Sequence, residues 1–275
     1  MENSPLVLGK NTTYDNEYAP SRLHRIERAL GRSAIKHLKS FNGVDIWRLY
    51  EMTYLNLNGL PEVCMGIMKV PASSRYIVES KSLKLYELSF TMTKFESLKD
   101  VETIFARDLS RLLECEVEVK LFEVKNKEFA FESPKGICLE EQDFAKTMSF
   151  NNYEYSPKVL SHAEGKKTVS KTYYTNLFRS LCPVTSQPDH ATVMIEYKGL
   201  VPNEESLLNY LVSLRNHQGF HEQCVELIYS DIMHALEPSE LTVSAFFTRR
   251  GGIDINPVRT SLKDQKFTSV RFIRQ

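Results

Sequence analysis

A cysteine and an aspartate close together in the sequence have the clearest potential for chemistry. Cys182 ends one apolar-rich run, and Asp189 precedes the run predicted to return beside it. The loop Pro183 to Pro188 would therefore bring a thiol and a carboxylate to one hairpin tip. A thiolate is a competent nucleophile, and a carboxylate can take its proton and later return it to a nitrogen anion. A lone cysteine is more often a small buried residue, so spacing alone leaves both interpretations open.

A histidine and a glutamate, His221 and Glu222, stand together at the start of a predicted helix. Acidic groups are stabilised there by the helix dipole, and side chains of the first turn can point into a cleft. The pair also begins like the zinc-protease motif H-E-x-x-H, but Val225 occupies the position of the second histidine. The sequence excludes that motif and leaves either a pair of site residues or an ordinary helix start.

Two arginines precede two glycines near the end of the chain, within the run Arg249 to Arg259. The pair Gly251 and Gly252 would let backbone amides approach an anion, and guanidinium groups suit phosphate. From Arg249 onward seven basic residues stand against two acidic ones, an excess of +5 in a chain of zero net charge. This run is a candidate phosphate-binding turn. Because no G-x-G-x-x-G lies between a strand and a helix, a dinucleotide would not be held in the Rossmann manner.

A charged segment, Glu79 to Tyr86, lies between the first predicted hairpin and the helices that follow it. The Glu79 carboxylate could accept two hydrogen bonds from an amidine edge such as that of guanine. Lys81 supplies a cation for phosphate. Taken alone, the segment is equally typical of a charged helix start.

The elements that must position these residues occur in the same order in each half of the chain. The first half has a predicted hairpin (44–57 and 62–71), two helices (82–93 and the run after Ser97) and a strand (116–124). The second has a hairpin (168–181 and 191–198), helices after Asn203 and over 220–236, a strand at 241–248 and a candidate strand at 270–273. The repeat predicts an α+β fold of two modules, 1–135 and 136–275, each an antiparallel sheet with two helices on one face. The stretch from about 125 to 165 is the predicted connector.

Composition is typical of a globular protein rather than of a disordered or membrane-embedded one. Of 275 residues, 42% are hydrophobic and 25% charged, and 35 basic residues balance 35 acidic ones. Zero net charge provides no field that would draw the chain to nucleic acid or an anionic membrane. No long apolar run or export signal occurs, and five irregularly spaced cysteines without C-x-x-C predict neither a disulfide framework nor a zinc ribbon. We expect a cytoplasmic protein.

Four segments together resemble the motifs of one family, the NADPH-dependent 7-cyano-7-deazaguanine reductases of queuosine biosynthesis, in their longer bimodular form. The segments are Glu79–Tyr86 (ESKSLKLY), Ser180–Asp189 (SLCPVTSQPD), Arg215–Cys224 (RNHQGFHEQC) and Arg249–Pro257 (RRGGIDINP). The likeness spans nearly the whole chain and includes Gly43–Trp47 and Gly59–Pro61. Agreement of four separate motifs in the family's order argues against chance.

The resemblance implies a tandem tunnelling fold of two β-β-α-α-β-β modules, with the site where the modules meet. It implies that Cys182 attacks the nitrile carbon to give a thioimide, that Asp189 donates a proton, and that two NADPH molecules supply hydrides. The residues it assigns to the substrate are Val78, Glu79, Ser80, Phe220, His221 and Glu222. Those it assigns to the cofactor are Ser80, Lys81, Arg250 and Gly251. It implies no metal ligand.

The same likeness suggests a homodimer without direct nucleic-acid contact. One active site per chain is expected, because the first module has no counterpart to Cys182 and Asp189. Two positions depart from the family pattern: His190 stands where an aromatic such as Trp is common, and Phe90 ends a motif that often ends in Trp. Because His190 could pair with Asp189 and move its protonation, the acid role of Asp189 depends on where His190 lies.

Two other functions remain open on the sequence. A hydrolase of the cyclohydrolase type, acting on a purine or pterin, would need zinc, with Cys182, His221 and Cys224 as the available ligands. A tRNA-binding module is suggested by the pathway and the basic tail, and zero net charge speaks against it. No role follows for the remaining cysteines, which we take as structural: Cys64, Cys115 and Cys138.

Overall fold

The computed structural model describes residues 15, 17–125, 127–263, 265, 267 and 270–275. The start of the chain, residues 1–9, in which no export signal was predicted, lies outside the described residues. Two charged residues of the basic tail, Asp264 and Lys266, also lie outside them. Within the described part, no helix is long and apolar enough to cross a membrane.

Strands and helices alternate in two similar blocks along the chain. The strands are β1 (Arg25–Glu27), β2 (Asn42–Leu55), β3 (Pro61–Pro71), β4 (Tyr76–Val78), β5 (Glu118–Glu123), β6 (Phe131–Glu132), β7 (Ile137–Cys138), β8 (Thr168–Leu181), β9 (Pro188–Leu200), β10 (Glu240–Phe247), β11 (Ile253–Thr260) and β12 (Arg271–Phe272). The α-helices are α1 (Arg28–Arg32), α2 (Ser80–Leu88), α3 (Leu98–Leu113), α4 (Asp143–Thr147), α5 (Glu204–Ser213) and α6 (His221–Ala235). Short 3-10 turns occur at Pro20–Arg22, Lys127–Phe129, Leu139–Glu141, Pro157–Val159 and Leu214–Asn216.

One eight-stranded sheet carries both blocks, in the order β5-β3-β2-β11-β10-β9-β8-β7. All neighbours are antiparallel except β7 and β8. The two halves join where β2 pairs with β11, with Trp47 opposite Ile255. The α+β class is confirmed, and the two sets of strands form one sheet instead of two separate ones.

The four longest helices cover one face of this sheet. Trp47 and its neighbour Ile255 belong to the core that α2 and α3 complete. Arg259 follows Ile255 by four residues along β11, so its side chain lies on the same face of the sheet. Its partner on β10 is Val243, which belongs to the core that α5 and α6 complete. Each half of the sheet therefore buries its apolar side chains under its own helix pair, as the repeat predicted.

Local patterns located most elements correctly. Both predicted hairpins are confirmed, β2 with β3 and β8 with β9. The helix predicted at 82–93 begins earlier, at Ser80, because the Glu79 carboxylate accepts hydrogen bonds from the backbone N–H groups of Lys81 and Ser82. The Ser97 side chain caps α3 and Asn203 caps α5, and the candidate strand near the end of the chain is β12.

The sequence did not predict strand β11, nor the shorter elements β1, β4, β6, β7, α1 and α4. The run after Gly252 is typical of a polar turn, since it contains Asp254, Asn256 and Pro257. Proline is disfavoured in a central strand, yet Pro257 lies between β2 and β10, opposite Asp45. All eight residues of β11 are buried. The strand begins by alternating apolar and polar residues, but its polar side chains are buried as well, in hydrogen-bonded and ion-paired contacts.

Candidate active site

All of the residues that the sequence assigned to a site line one cavity of about 650 Å³ between the two halves of the sheet. From the first half come residues at the end of β4 and the start of α2: Val78, Glu79, Ser80 and Lys81. From the second half come residues of the β8–β9 tip, the start of α6 and the turn before β11: Cys182, Asp189, Phe220, His221, Glu222, Arg250 and Gly251. Neither half could form this cavity alone.

Cys182 lies at the end of β8, in a tight loop that leads to β9. Its N–H donates to the Gln187 carbonyl (2.9 Å) and its carbonyl accepts from the Ser186 N–H (2.9 Å). Burial raises the pKa of the Cys182 thiol, but hydrogen bonds from the Thr185 hydroxyl and the backbone N–H groups of Thr185 and Val184 outweigh it. The net pKa is lowered from its usual value, which favours the nucleophilic thiolate. Thr185 was not singled out from the sequence.

Asp189 lies within β9, opposite Ser180, rather than before the strand. Its Oδ1 accepts a hydrogen bond from Arg250 Nη1 (2.5 Å), and its Oδ2 is 3.4 Å from His221 Nε2. Burial raises the pKa of Asp189, but His221 and Arg250 together lower it below its usual value. In this arrangement the Asp189 side chain is an ionised carboxylate, so it must accept a proton before it can donate one.

Among the contacts of the described residues, His190 forms no ion pair with Asp189, although the charge of Asp189 raises the pKa of His190. Adjacent strand residues face opposite sides, and Asp189 is buried where His190 is exposed. Burial and the charges of Arg274, Arg179 and Arg215 lower the pKa of His190. The ionic partners described for Asp189 are His221 and Arg250.

Two carboxylates face the cavity from opposite halves of the chain. Glu222 is only 3% exposed, and burial, followed by the charge of Asp45, raises its pKa to about 7 despite nearby Arg28 and Arg259. Glu79 is half-buried and accepts from the N–H groups of α2, at 2.9 Å from Lys81 and 2.7 Å from Ser82. The pair provides acceptor oxygens on two sides of the same space.

Cationic side chains surround the glycine turn before β11. Lys81, Lys84 and Arg250 all line the cavity. Gly251 and Gly252 have φ values of +57° and +78°, and a Cβ at Gly252 would overlap the Glu51 carboxyl group. At Gly251 the nearest atom to such a Cβ is 3.9 Å away, on Lys84. The turn therefore leaves open space beside positive charge, as an anion site requires.

Apolar and aromatic side chains complete the walls. The His221 ring stacks on Phe247, with centroids 3.8 Å apart and planes 10° apart. Among the described residues, His221 Nδ1 is buried without a hydrogen-bond partner. The residues not assigned to the site beforehand include Trp47, Ile253 and Ile255. The alternation of apolar and polar residues at the start of β11 could have identified these isoleucines. The polar residues of the run instead made it resemble a turn.

No metal centre is assembled here. The described residues contain no group of three or more His, Cys, Asp or Glu side chains that could hold a metal ion. The ligand set that the hydrolase alternative needs, Cys182, His221 and Cys224, does not converge as such a group.

Comparison with known proteins decides the family. The family model described as "Nitrile reductase, 7-cyano-7-deazaguanine-reductase N-term" matches residues 14–121, and one described as "QueF-like protein" matches residues 188–266. The NADPH-dependent 7-cyano-7-deazaguanine reductase of Desulfotalea psychrophila (strain LSv54 / DSM 12343) is 40% identical over 276 aligned positions, covering 99% of this chain and 98% of that protein. This chain belongs to the 7-cyano-7-deazaguanine reductase family.

Membership in the 7-cyano-7-deazaguanine reductase family confirms the resemblance that four motifs suggested and makes this chain an enzyme. A solved structure, of the archaeosine synthase QueF-Like in the apo form, matches with a TM-score of 0.32 and 20% identity, covering 37% of this chain and 100% of that one. This overlap is too small to support an argument about the fold.

Proposed function

We propose that this enzyme reduces the nitrile of 7-cyano-7-deazaguanine to the aminomethyl group of 7-aminomethyl-7-deazaguanine with NADPH, in queuosine biosynthesis, through a thioimide on Cys182. The observation that carries the proposal is the meeting of a thiol of lowered pKa, two carboxylates and an arginine-glycine turn in one cavity. The name of the 40% identical relative supports the substrate and the cofactor.

Recognition of the base falls to the two facing glutamates. A deazaguanine presents N–H donors along its pyrimidine edge, and ionised carboxylates are the acceptors that pair with them most strongly. Glu222 fills this role from the start of α6, and Glu79 approaches from the start of α2. Phe220, Val78 and Ser80 complete the walls around the base.

The first chemical step joins the nitrile to the enzyme. The Cys182 sulfur forms a bond to the nitrile carbon while one C–N π bond opens, and the nitrogen takes up a proton. The thiol proton passes to the Asp189 carboxylate and from there to that nitrogen, so the step consumes no external proton. Contact with Asp189 orients the His221 ring beside the reacting atoms.

Two reductions then complete the conversion. When bound, NADPH would supply a hydride to the carbon on each occasion. After the first, the C–S bond breaks, an imine remains in the cavity, and the departing Cys182 thiolate takes up one proton to regenerate the thiol; the second hydride, together with one further proton, converts the imine to the primary amine. Enclosure between the two halves of the sheet protects the imine from water.

The cofactor phosphate fits the glycine turn. Arg250, Lys81 and Ser80 line the cavity beside Gly251, where positive φ and free space allow backbone N–H groups to approach an anion. These residues would hold the cofactor, which would supply the hydride. The site differs from a Rossmann site because no G-x-G-x-x-G is present.

The direct test is oxidation of NADPH, followed by absorbance, with 7-cyano-7-deazaguanine as substrate. We expect two NADPH consumed per amine formed, and no turnover by Cys182→Ala. Mass spectrometry without NADPH should detect one covalent nitrile adduct per chain. No NADPH oxidation by the intact protein would reject the proposal, and a zinc assay with purine and pterin substrates would then test the hydrolase alternative.

We also propose a cytoplasmic homodimer of two-module chains, with modules 1–135 and 136–275, that makes no direct contact with nucleic acid. In a single chain β5 and β7 lie at the two ends of the sheet. Pairing with a second copy of the chain would provide hydrogen-bond partners for the backbone N–H and C=O groups at these edges. Light scattering after gel filtration tests the dimer. Filter binding of tRNA at several salt concentrations tests the absence of a nucleic-acid partner.

A further inference from the structure

Glu222 and Glu226 lie one turn apart on α6 and face the same way, toward the sheet. Glu222 reaches the cavity, whereas Glu226 lies behind it and is only 1% exposed. Glu226 is held by Arg259 of β11, at 2.8 Å from Nη2, and by Arg32 of α1, also at 2.8 Å. The wall behind Glu222 is therefore ionic rather than apolar.

A closed ring of buried charges forms this wall. Asp45 of β2 accepts from Arg28 Nη2 (2.5 Å) and from Arg259 Nη1 (2.7 Å). Arg259 and Arg28 both approach Glu226, with Arg28 Nη1 3.8 Å from Glu226 Oε1. Arg28, Asp45, Glu226 and Arg259 are each no more than 3% exposed, so water screens these interactions little.

The ring and Arg32 together carry unequal charge. Three guanidinium groups (Arg28, Arg32, Arg259) stand against two carboxylates (Asp45, Glu226), which leaves an excess of one positive charge. Among the described residues, Arg28 Nη1 is buried without a hydrogen-bond partner. Ionised Glu222 would bring the cluster to neutrality. Within the ring, the buried guanidinium groups of Arg28 and Arg259 favour that ionised form, against the opposing charge of Asp45.

We propose that Arg28 is a positioning residue which, through this buried ring, holds Glu222 as the anion that binds the pyrimidine edge of the substrate. The inference rests on the proposed function, because it concerns the same substrate. Arg28 lies outside the four motifs and does not line the cavity, so it acts through Glu222 and not by touching the base.

Other charged groups also face Glu222 and influence the pH at which it becomes ionised. From β2, Asp45 opposes its ionisation, whereas Arg28 of α1 and Arg259 of β11 favour it. Across the cavity lie Asp189 with Arg250, and on the same helix His221 and Glu226. The buried Cys224 thiol, whose pKa is raised to about 12 by burial, stays neutral.

The test measures binding without chemistry, in the full chain carrying Cys182→Ala, by calorimetry with 7-cyano-7-deazaguanine across neutral pH. In this parent, affinity should fall as the pH drops through about 7, because protonated Glu222 loses an acceptor. Arg28→Gln should move the midpoint of this loss upward by about one pH unit, which makes binding about tenfold weaker on the acid side. Asp45→Asn should move it downward.

Three further variants in the same background separate charge from folding. Arg28→Lys keeps the charge and should keep the parent's midpoint. Arg75→Gln changes an exposed arginine that pairs with Glu27, and should change nothing. Glu222→Gln removes the titrating group and should abolish the loss of affinity that the parent shows as the pH drops through about 7. Thermal unfolding of each variant identifies those that do not fold.

The outcomes are distinct. A folded Arg28→Gln protein with an unshifted midpoint would overturn the inference. If that variant does not fold, Asp45→Asn decides: a downward shift supports the inference, and an unchanged or higher midpoint overturns it. Absence of binding by the Cys182→Ala parent at every pH would overturn the proposed substrate and the inference with it, whereas binding with unshifted midpoints overturns the inference alone.

Discussion

Arg250 Nη1 lies 2.5 Å from the Asp189 carboxylate, so the arginine proposed for the cofactor phosphate is also the closest cation to the proposed proton carrier. On the proposed function, one guanidinium would serve two anions. When it turns to a bound phosphate, Asp189 loses a counter-charge and its pKa rises. We expect cofactor binding to favour the protonated form of Asp189 at the stage when nitrogen must receive a proton.

Replacement of this arginine tests the relationship. Asp189 has a lowered pKa, so its carboxylate persists to low pH and is lost as the pH falls through that pKa. Arg250→Gln should raise the pKa of Asp189. The acid limb of the pH profile for thioimide formation should then move upward by about one pH unit. Single-turnover adduct formation without NADPH measures this effect separately from cofactor binding. Arg249→Gln, which removes an arginine stacked over Tyr50, is the matched control and should leave the limb unmoved.

Loss of the Thr185 hydroxyl should make Cys182 less reactive. The hydrogen bond from Thr185 lowers the thiol pKa, so Thr185→Val should raise it and reduce the thiolate fraction at neutral pH. We expect alkylation of Cys182 by iodoacetamide to slow on the order of tenfold at pH about 7, with its midpoint at higher pH. Thr185→Ser keeps a hydroxyl and should retain most of the reactivity. Equal rates for the valine and serine variants would contradict this role.

The stack of His221 on Phe247 should matter for turnover more than for stability. Phe247→Leu removes the ring 3.8 Å from the imidazole and should lower kcat roughly tenfold through loss of orientation. Phe246→Leu is the control, because Phe246 packs against Phe272 instead, with the two ring planes tilted by 53°. Both variants should lose about 1–2 kcal/mol in thermal or urea unfolding. A similar kcat for the two would show that the stack only supports the fold.

Alanine substitution of two glycines should separate backbone strain from damage at the turn. A methyl group added at Gly165 (φ +98°) would meet no atom within 4 Å, so Gly165→Ala should cost only about 1 kcal/mol of strain. Gly252 (φ +78°) faces the Glu51 carboxyl group, so Gly252→Ala must also displace Glu51 and its Lys84 partner. We expect a larger fall in melting temperature and a higher KM for NADPH only in the second variant. Steady-state kinetics and calorimetry compare the two.

Local sequence patterns predicted the four longest helices and both hairpins, because amphipathic periodicity reports which side of an element is buried. They also determined that Cys182 and Asp189 would be neighbours, since a short loop between paired strands leaves no other arrangement. The β8–β9 register, with Ser180 opposite Asp189, bears this out. The motif residues were identified by type and order along the chain, and the cavity contains all of those assigned to the site.

Only the tertiary structure decided which partners these residues have. Asp189 meets His221 and Arg250, which come from other elements, and the ring behind Glu222 joins α1, β2, α6 and β11. Strand β11 escaped prediction because its polar residues are buried by pairing with distant strands, which no local periodicity records. The electrostatics of a site depend on burial and on charges brought together across the chain. The sequence therefore identified the candidate reacting groups of this enzyme, and the fold determined the burial and the neighbouring charges that govern their protonation.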